Sequence, residues 1–300
     1  MELHFLHIGK TGGTALSRIL KSKAGEIEST PFSIMRYRHD SNMKLIRTET
    51  DTGKFVFFVR HPVSRFVSGF YSRQRKGRPA YFIPWSRSEE AAFGYFKDPE
   101  SLAVALDSDD PAARAAAIMA MEAIQHVSDP MTFWVGKTSG LRKKIDEIFF
   151  IGAQETFDAD CAALLTKIGV NPEVPTLSES ERHSSGQRAP ALSEQATKNI
   201  EAWYARDIEL YQWCMRNRET INNPETVEMG KLHTTPKTAN TAKKVARRKK
   251  INALARKSAK EAGLDWATLG KEERKPFRVA ARTSVKEARK RRKKKKLDAA

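Results

Sequence analysis

The sequence predicts an α/β sandwich built on a mainly parallel sheet. Three apolar runs, 3–8, 54–59 and 148–151, are each followed by a turn and a stretch with helical spacing. The middle run, Lys54-Phe55-Val56-Phe57-Phe58-Val59, is apolar at consecutive positions, which suits a strand covered on both faces. Hydrophobic residues make up 40% of the 300, enough to exclude disorder throughout, and two cysteines exclude a disulfide scaffold.

The elements follow in order. The first strand, 3–8, runs into Gly9-Lys10-Thr11-Gly12-Gly13-Thr14, and Leu16, Ile19 and Leu20 then mark one helix face. The second ends at Arg60-His61-Pro62, where proline suits a helix start; Phe66, Val67, Phe70 and Tyr71 form that helix's apolar side. Helices are predicted over 86–97 and 111–127. The third strand precedes a helix carrying Phe157, Cys161, Leu164, Leu165 and Ile168, which stops at Gly169. Residues 171–192 read as a loop and 193–218 as one long helix. Cys161 and Cys214 read as small buried hydrophobes. No internal repeat is present.

Charge divides the chain. Residues 241–300 hold 23 Lys or Arg and 6 Asp or Glu, a net +17. Residues 1–240 hold 31 and 30, so a nearly neutral body carries a basic extension. The domain reading is 1–220 for the body, 221–242 for a Thr/Asn/Pro-rich linker, and 243–300 for the extension. The N-terminus shows no basic start and long apolar stretch of the kind a signal peptide needs, and no run is long enough to span a bilayer. The expectation is a cytoplasmic protein.

A glycine-rich turn between strand and helix offers backbone N–H groups to an anion. Gly12 and Gly13 permit close approach, Lys10 adds a charge, and Thr11 and Thr14 add hydroxyls. The loop departs from G-x-x-x-x-G-K-[ST], because Lys10 precedes the glycines and no Lys-Ser/Thr follows them. That argues against a nucleoside triphosphatase. Arg60 stands at the carboxyl end of a strand, where open α/β sheets bind ligands. Ser68 lies eight residues on, about two helical turns along the next helix. Arg60 suits bidentate phosphate binding, with Ser68 a candidate donor to the same group. Arg65 and Arg73 read as surface or packing residues.

Together the segments His7–Thr14 and Phe58–Tyr71 resemble the 5′-phosphosulfate loop and the 3′-phosphate motif of sulfotransferases. The similarity is to the carbohydrate-type branch, near the heparan-sulfate 2-O-sulfotransferases, and covers roughly residues 3–216. His61 stands where that motif usually has Asp. The resemblance implies a three-layer fold related to P-loop kinases, a PAPS (3′-phosphoadenosine 5′-phosphosulfate) donor and no metal requirement. It places Lys10, Thr11, Gly12, Gly13 and Thr14 on the 5′-phosphosulfate, and Arg60 and Ser68 on the 3′-phosphate. Arg182, in Arg182-His183-Ser184-Ser185-Gly186, resembles the late loop that closes on the same phosphate.

Sulfuryl transfer needs a base for the acceptor proton, and histidine has a suitable pKa. Among His4, His7, His39, His61, His126, His183 and His233, the best candidate is His39, which with Lys10 forms the catalytic pair. The related 2-O-sulfotransferases resemble this chain in carrying a catalytic His in a similar place. His4 and His7 read as packing on the first strand, His126 as a helix end, and Glu155 as a rival acid–base group or a structural cap. Arg73 to Pro79 is basic and is followed by Tyr81, Phe82 and Trp85, a composition suited to an anionic or sugar acceptor.

The extension suits a polyanion by counterion release: nucleic acid, a membrane surface or a glycan. Trp266 to Phe277 faintly resembles the middle of an HMG box; the alternative is a partly helical or disordered polybasic arm. Two other functions compete with sulfotransfer: a P-loop nucleotide kinase, and a nucleic-acid-binding protein on an inactive sulfotransferase body.

Overall fold

The computed structural model describes residues 1–79, 81–174, 191–223 and 253–264, with 273–277, 279–281 and 283–284 beyond. The chain divides into two units, Met1–Gly230 and Lys231–Ala300. The first unit opens with β1 (Glu2–Leu6), α1 (Gly13–Ser22), α2 (Ala24–Glu28), β2 (Ser33–Arg36), α3 (Met43–Glu49), β3 (Lys54–Val59) and α4 (Pro62–Gln74). A helical stretch follows: α5 (Arg87–Tyr95), α6 (Pro99–Ala105), α7 (Pro111–Ala123), α8 (Thr132–Val135) and α9 (Thr138–Leu141). It closes with β4 (Ile148–Ala153), α10 (Phe157–Lys167), α11 (Glu194–Trp203) and α12 (Ala205–Asn222).

The four strands pair in parallel in the order β2-β1-β3-β4. Alternation along β3 sends Phe55, Phe57 and Val59 to one face, against Trp134, Leu210 and Trp213. Val56 and Phe58 go to the other, against Leu16 and Ile19 of α1 and Leu164 and Leu165 of α10. Both faces are therefore covered, and the body is the three-layer α/β sandwich that the sequence predicts. Truncating a fully buried residue such as Phe57 costs about 3–5 kcal/mol. A third cluster, with Phe66, Phe70, Phe93, Leu102, Met121 and Ile200, joins α4 to α5, α6, α7 and α11.

Local chemistry sets the helix starts. Pro62, Pro99 and Pro111 open α4, α6 and α7, and Asp98 and Asp110 cap the latter two. Ser86 and Glu89 form a capping box at α5.

The structure differs from the sequence reading in three places. The first strand stops at Leu6, so His7 leaves the alternating pattern. An additional strand, β2, falls between the first two expected strands in sequence and pairs at the sheet edge beside β1. The expected helix over 193–218 is two helices broken at Tyr204. Tyr204 leaves helical geometry (φ −98°, ψ 28°), and its hydroxyl donates to the Val127 carbonyl at 2.5 Å. Cys161 and Cys214 are buried, and burial raises both thiols.

Most of the expected loop over 171–192, including Arg182, and most of the linker lie outside the described residues. In the second unit, 253–261 is helical, with Ala255 and Ala259 buried. Among the described residues, no helix is long and apolar enough to cross a membrane.

Candidate functional site

Because β1 and β3 are neighbours, the turns that leave their carboxyl ends lie side by side. The turn after β1 carries Lys10 and Gly12 at φ of 68° and 88°, the left-handed region that favours glycine. Gly12 also packs under Phe157, whose ring a Cβ would meet at 2.8 Å. Gly13 begins α1 beneath the His7 ring, and a Cβ there would lie 2.1 Å from His7 Cδ2. No side chain caps α1, and its first turn holds no acid. The N–H groups of that turn are thus not taken by a side-chain cap and can serve an anion.

The Thr11 hydroxyl is buried and donates to the Ile8 carbonyl at 3.0 Å, so it braces the loop. Thr14 is half-buried in the first turn of α1. Lys10 has its pKa lowered to about 8, by burial first and then by Arg60, Arg75 and Arg65. Three guanidinium groups thus bear on one ammonium. That crowding is unfavourable by itself and suits a bound anion.

Arg60 leaves the end of β3. Its Nε donates to Ser64 Oγ at 3.0 Å and its Nη1 to the Lys10 carbonyl at 3.3 Å, which joins the two turns. Ser68 is half-buried one helical turn past Ser64, on the same side of α4. Glu155, following β4, accepts from the His61 backbone N–H at 2.7 Å. This contact gives it the role of a cap on α4.

Three imidazoles gather beside Lys10. His39 lies 4.0 Å from His7 and 6.1 Å from His126, between ring centroids. Its Nδ1 is 3.0 Å from the His7 carbonyl oxygen, and its own carbonyl accepts from Trp134 Nε1 at 2.9 Å. A carbonyl only accepts, so neutral His39 carries its proton on Nδ1 and leaves the Nε2 lone pair free. Desolvation lowers the His39 pKa, against the opposing effect of the His7 hydrogen bond. His7 falls to about 4 and His126 to about 3, each chiefly through burial. Burial therefore favours the neutral form of all three rings.

The packing reading holds for His4, which is buried against Tyr37 and the Thr52 carbonyl. His7 also packs, against Phe5, His39 and Gly13, but from the turn and not from the strand, which ends one residue earlier. His126 reaches the site through a left-handed residue at φ 69° after α7. Arg65 and Arg73 are fully buried, 2% and 1% exposed. Arg73 makes a bidentate pair with Glu89 at 2.7 and 2.8 Å, and Glu89 also accepts from the Gln125 N–H. Arg65 Nε donates to the Gly9 carbonyl at 2.8 Å. One signal in the sequence points to these residues: Arg60, Arg65 and Arg73 sit on or beside one apolar helix with no acid before Glu89.

Among the described residues, no group of three or more His, Cys, Asp or Glu is arranged to hold a metal ion. A family model described as the sulfotransferase family matches residues 1–213. No curated protein and no solved structure matches the chain.

Proposed function

The chain belongs to the sulfotransferase family, and we propose that it transfers a sulfuryl group from PAPS to a hydroxyl of a carbohydrate acceptor. The observation that carries this reading is the two-part cationic site. Lys10 and an uncapped helix N-terminus form one part, and Arg60, hydrogen-bonded to the Lys10 carbonyl, forms the other. The residues fit a bisphosphorylated nucleotide: α1 begins with no side-chain cap and no acid in its first turn, and the guanidinium groups of Arg60, Arg75 and Arg65 all bear on Lys10.

In this reading Lys10, Thr11, Gly12, Gly13 and Thr14 hold the 5′-phosphosulfate, through Lys10 Nζ and backbone N–H groups. Arg60 and Ser68 hold the 3′-phosphate, with Ser64 orienting the guanidinium. When bound, the donor supplies an activated sulfuryl group. Lys10 stabilises negative charge at the phosphate end of the breaking bond. His39 Nε2 takes the acceptor proton while the His7 carbonyl fixes the ring through Nδ1.

The acceptor side is the turn after α4. Arg75 lies near enough to Lys10 to lower its pKa. Beyond it Arg78 covers Phe82 at 4.8 Å, Lys76 covers Trp85 at 4.3 Å, and Tyr81 and Phe82 are exposed. Aromatic faces of this kind stack on sugar rings, and the cations suit an anionic glycan of the heparan type. The separation of charge along the sequence supports a second partner. The extension would hold nucleic acid or another polyanion while the body does chemistry.

Calorimetry tests the assignment. A charge-assisted contact to the 3′-phosphate is worth roughly 1.5–3 kcal/mol, so 3′,5′-bisphosphoadenosine should bind at least about tenfold more tightly than AMP. Equal affinities would refute it. Transfer of labelled sulfate from PAPS onto a panel of glycans, lipids and small alcohols then identifies the acceptor.

A further inference from the structure

Arg65 projects from α4 into the body, sealed beneath the β1 turn. Arginine is almost never this buried unless paired. No carboxylate forms an ion pair with it among the described residues. Its Nη2 is the only buried side-chain polar atom among those residues without a hydrogen-bond partner. An unmet buried donor is destabilising, so stability alone does not explain the residue.

Two connections run from this guanidinium. Toward the anion loop, Nε donates to the Gly9 carbonyl, one residue before Lys10. Toward the base, the guanidinium carbon lies 5.5 Å from the Trp134 ring centroid, and the Trp134 indole N–H holds the His39 carbonyl. The connections meet at Gly9. A Cβ there would lie 3.8 Å from Arg65 Nη2, 3.6 Å from Trp134 Cη2 and 3.3 Å from His126 Nδ1.

We propose that Arg65 is a positioning residue, a strut that sets the anion loop and the His39 loop in register through Trp134. The inference rests on the sulfotransferase reading above for what the two loops do. It assigns Arg65 no contact with either substrate. Arg65 meets a carbonyl through Nε and the Trp134 ring through its guanidinium at the same time, and the compact ammonium of lysine cannot span both partners.

Two readouts on the full chain test it: the Kd of 3′,5′-bisphosphoadenosine, and the 15N ring shifts of His39, which report its tautomer. Arg65→Gln should weaken the bisphosphate by about tenfold, the loss expected for a displaced charge-assisted contact, and release His39 from its fixed Nδ1–H form. Arg65→Lys should recover neither. Trp134→Phe keeps the ring but loses the indole N–H, and should release the His39 tautomer while leaving bisphosphate affinity near wild type. An unchanged His39 tautomer in Arg65→Gln overturns the strut. If that variant does not fold, Trp134→Phe decides alone, and an unchanged tautomer there overturns it equally. Wild-type protein that fails to bind the bisphosphate refutes the functional reading. Wild-type binding with indifferent variants refutes only the strut.

Discussion

Gly13→Ala should reverse the usual effect of this substitution. In a helix, glycine to alanine ordinarily gains up to about 1 kcal/mol, because the unfolded chain loses freedom. Gly13 does not have a left-handed backbone, so nothing in its own geometry forbids the change. Its surroundings do. The new Cβ would stand 2.1 Å from His7 Cδ2, 2.6 Å from Nε2 and 3.0 Å from Cγ. The ring cannot swing away freely, because His39 lies 4.0 Å from it and Phe5 stacks behind at 6.2 Å. Overpacking of this kind costs about 1–3 kcal/mol, which exceeds the helical gain. A net loss near 1–2 kcal/mol corresponds to a fall of roughly 2–8 °C in the melting temperature of a body this size. In a His7→Ala background the obstacle is gone, and Gly13→Ala should stabilise by up to about 1 kcal/mol. The cycle of four proteins, measured by thermal melts, should therefore show a coupling of about 2 kcal/mol with a change of sign. If Gly13→Ala melts at or above the wild type while His7 is present, the contact does not control this turn.

Three further outcomes concern the site and one the basic extension. Lys10 is charged below its pKa near 8 and neutral above it, so kcat/KM for the donor should fall as pH rises through 8. Lys10→Ala should remove that limb and lower kcat by about 10²–10³. His39→Ala should cost about 10²–10⁴ in turnover with bisphosphate affinity unchanged; near-normal turnover would place the base elsewhere, with Glu155 tested next. Removing 241–300 should abolish salt-sensitive binding to DNA or heparin and leave bisphosphate binding intact, as a filter-binding series in rising salt would report.

Much of the site could be read from the sequence because its local signals are strong. The run 55–59 is apolar at every position, and Gly12 sits where the backbone turns left-handed. β2 carries no such signal: Ser33, Met35 and Arg36 are exposed at a sheet edge, so no buried alternation marks the strand. For Arg65 the sequence leaves surface and packing both open, and only tertiary structure supplies the carbonyl and the indole that let it be buried. His7 and His126 are 119 positions apart, and both come within ring contact of His39, a convergence that no short-range pattern encodes. The break at Tyr204 has no proline or glycine to announce it. The break coincides with the Tyr204 hydroxyl's hydrogen bond to the Val127 carbonyl, a partner distant in sequence.

The strand order has a consequence for synthesis. β3 pairs on one side with β1, which precedes it, and on the other with β4, which begins at Ile148. At ribosomal speeds of about 5–20 residues per second, the intervening stretch of about 90 residues keeps that second edge waiting for roughly 5–20 s. During this interval Phe55 to Val59, an unbroken apolar run, is a half-paired template on a nascent chain, exposed to the edge-to-edge association that β4 later prevents.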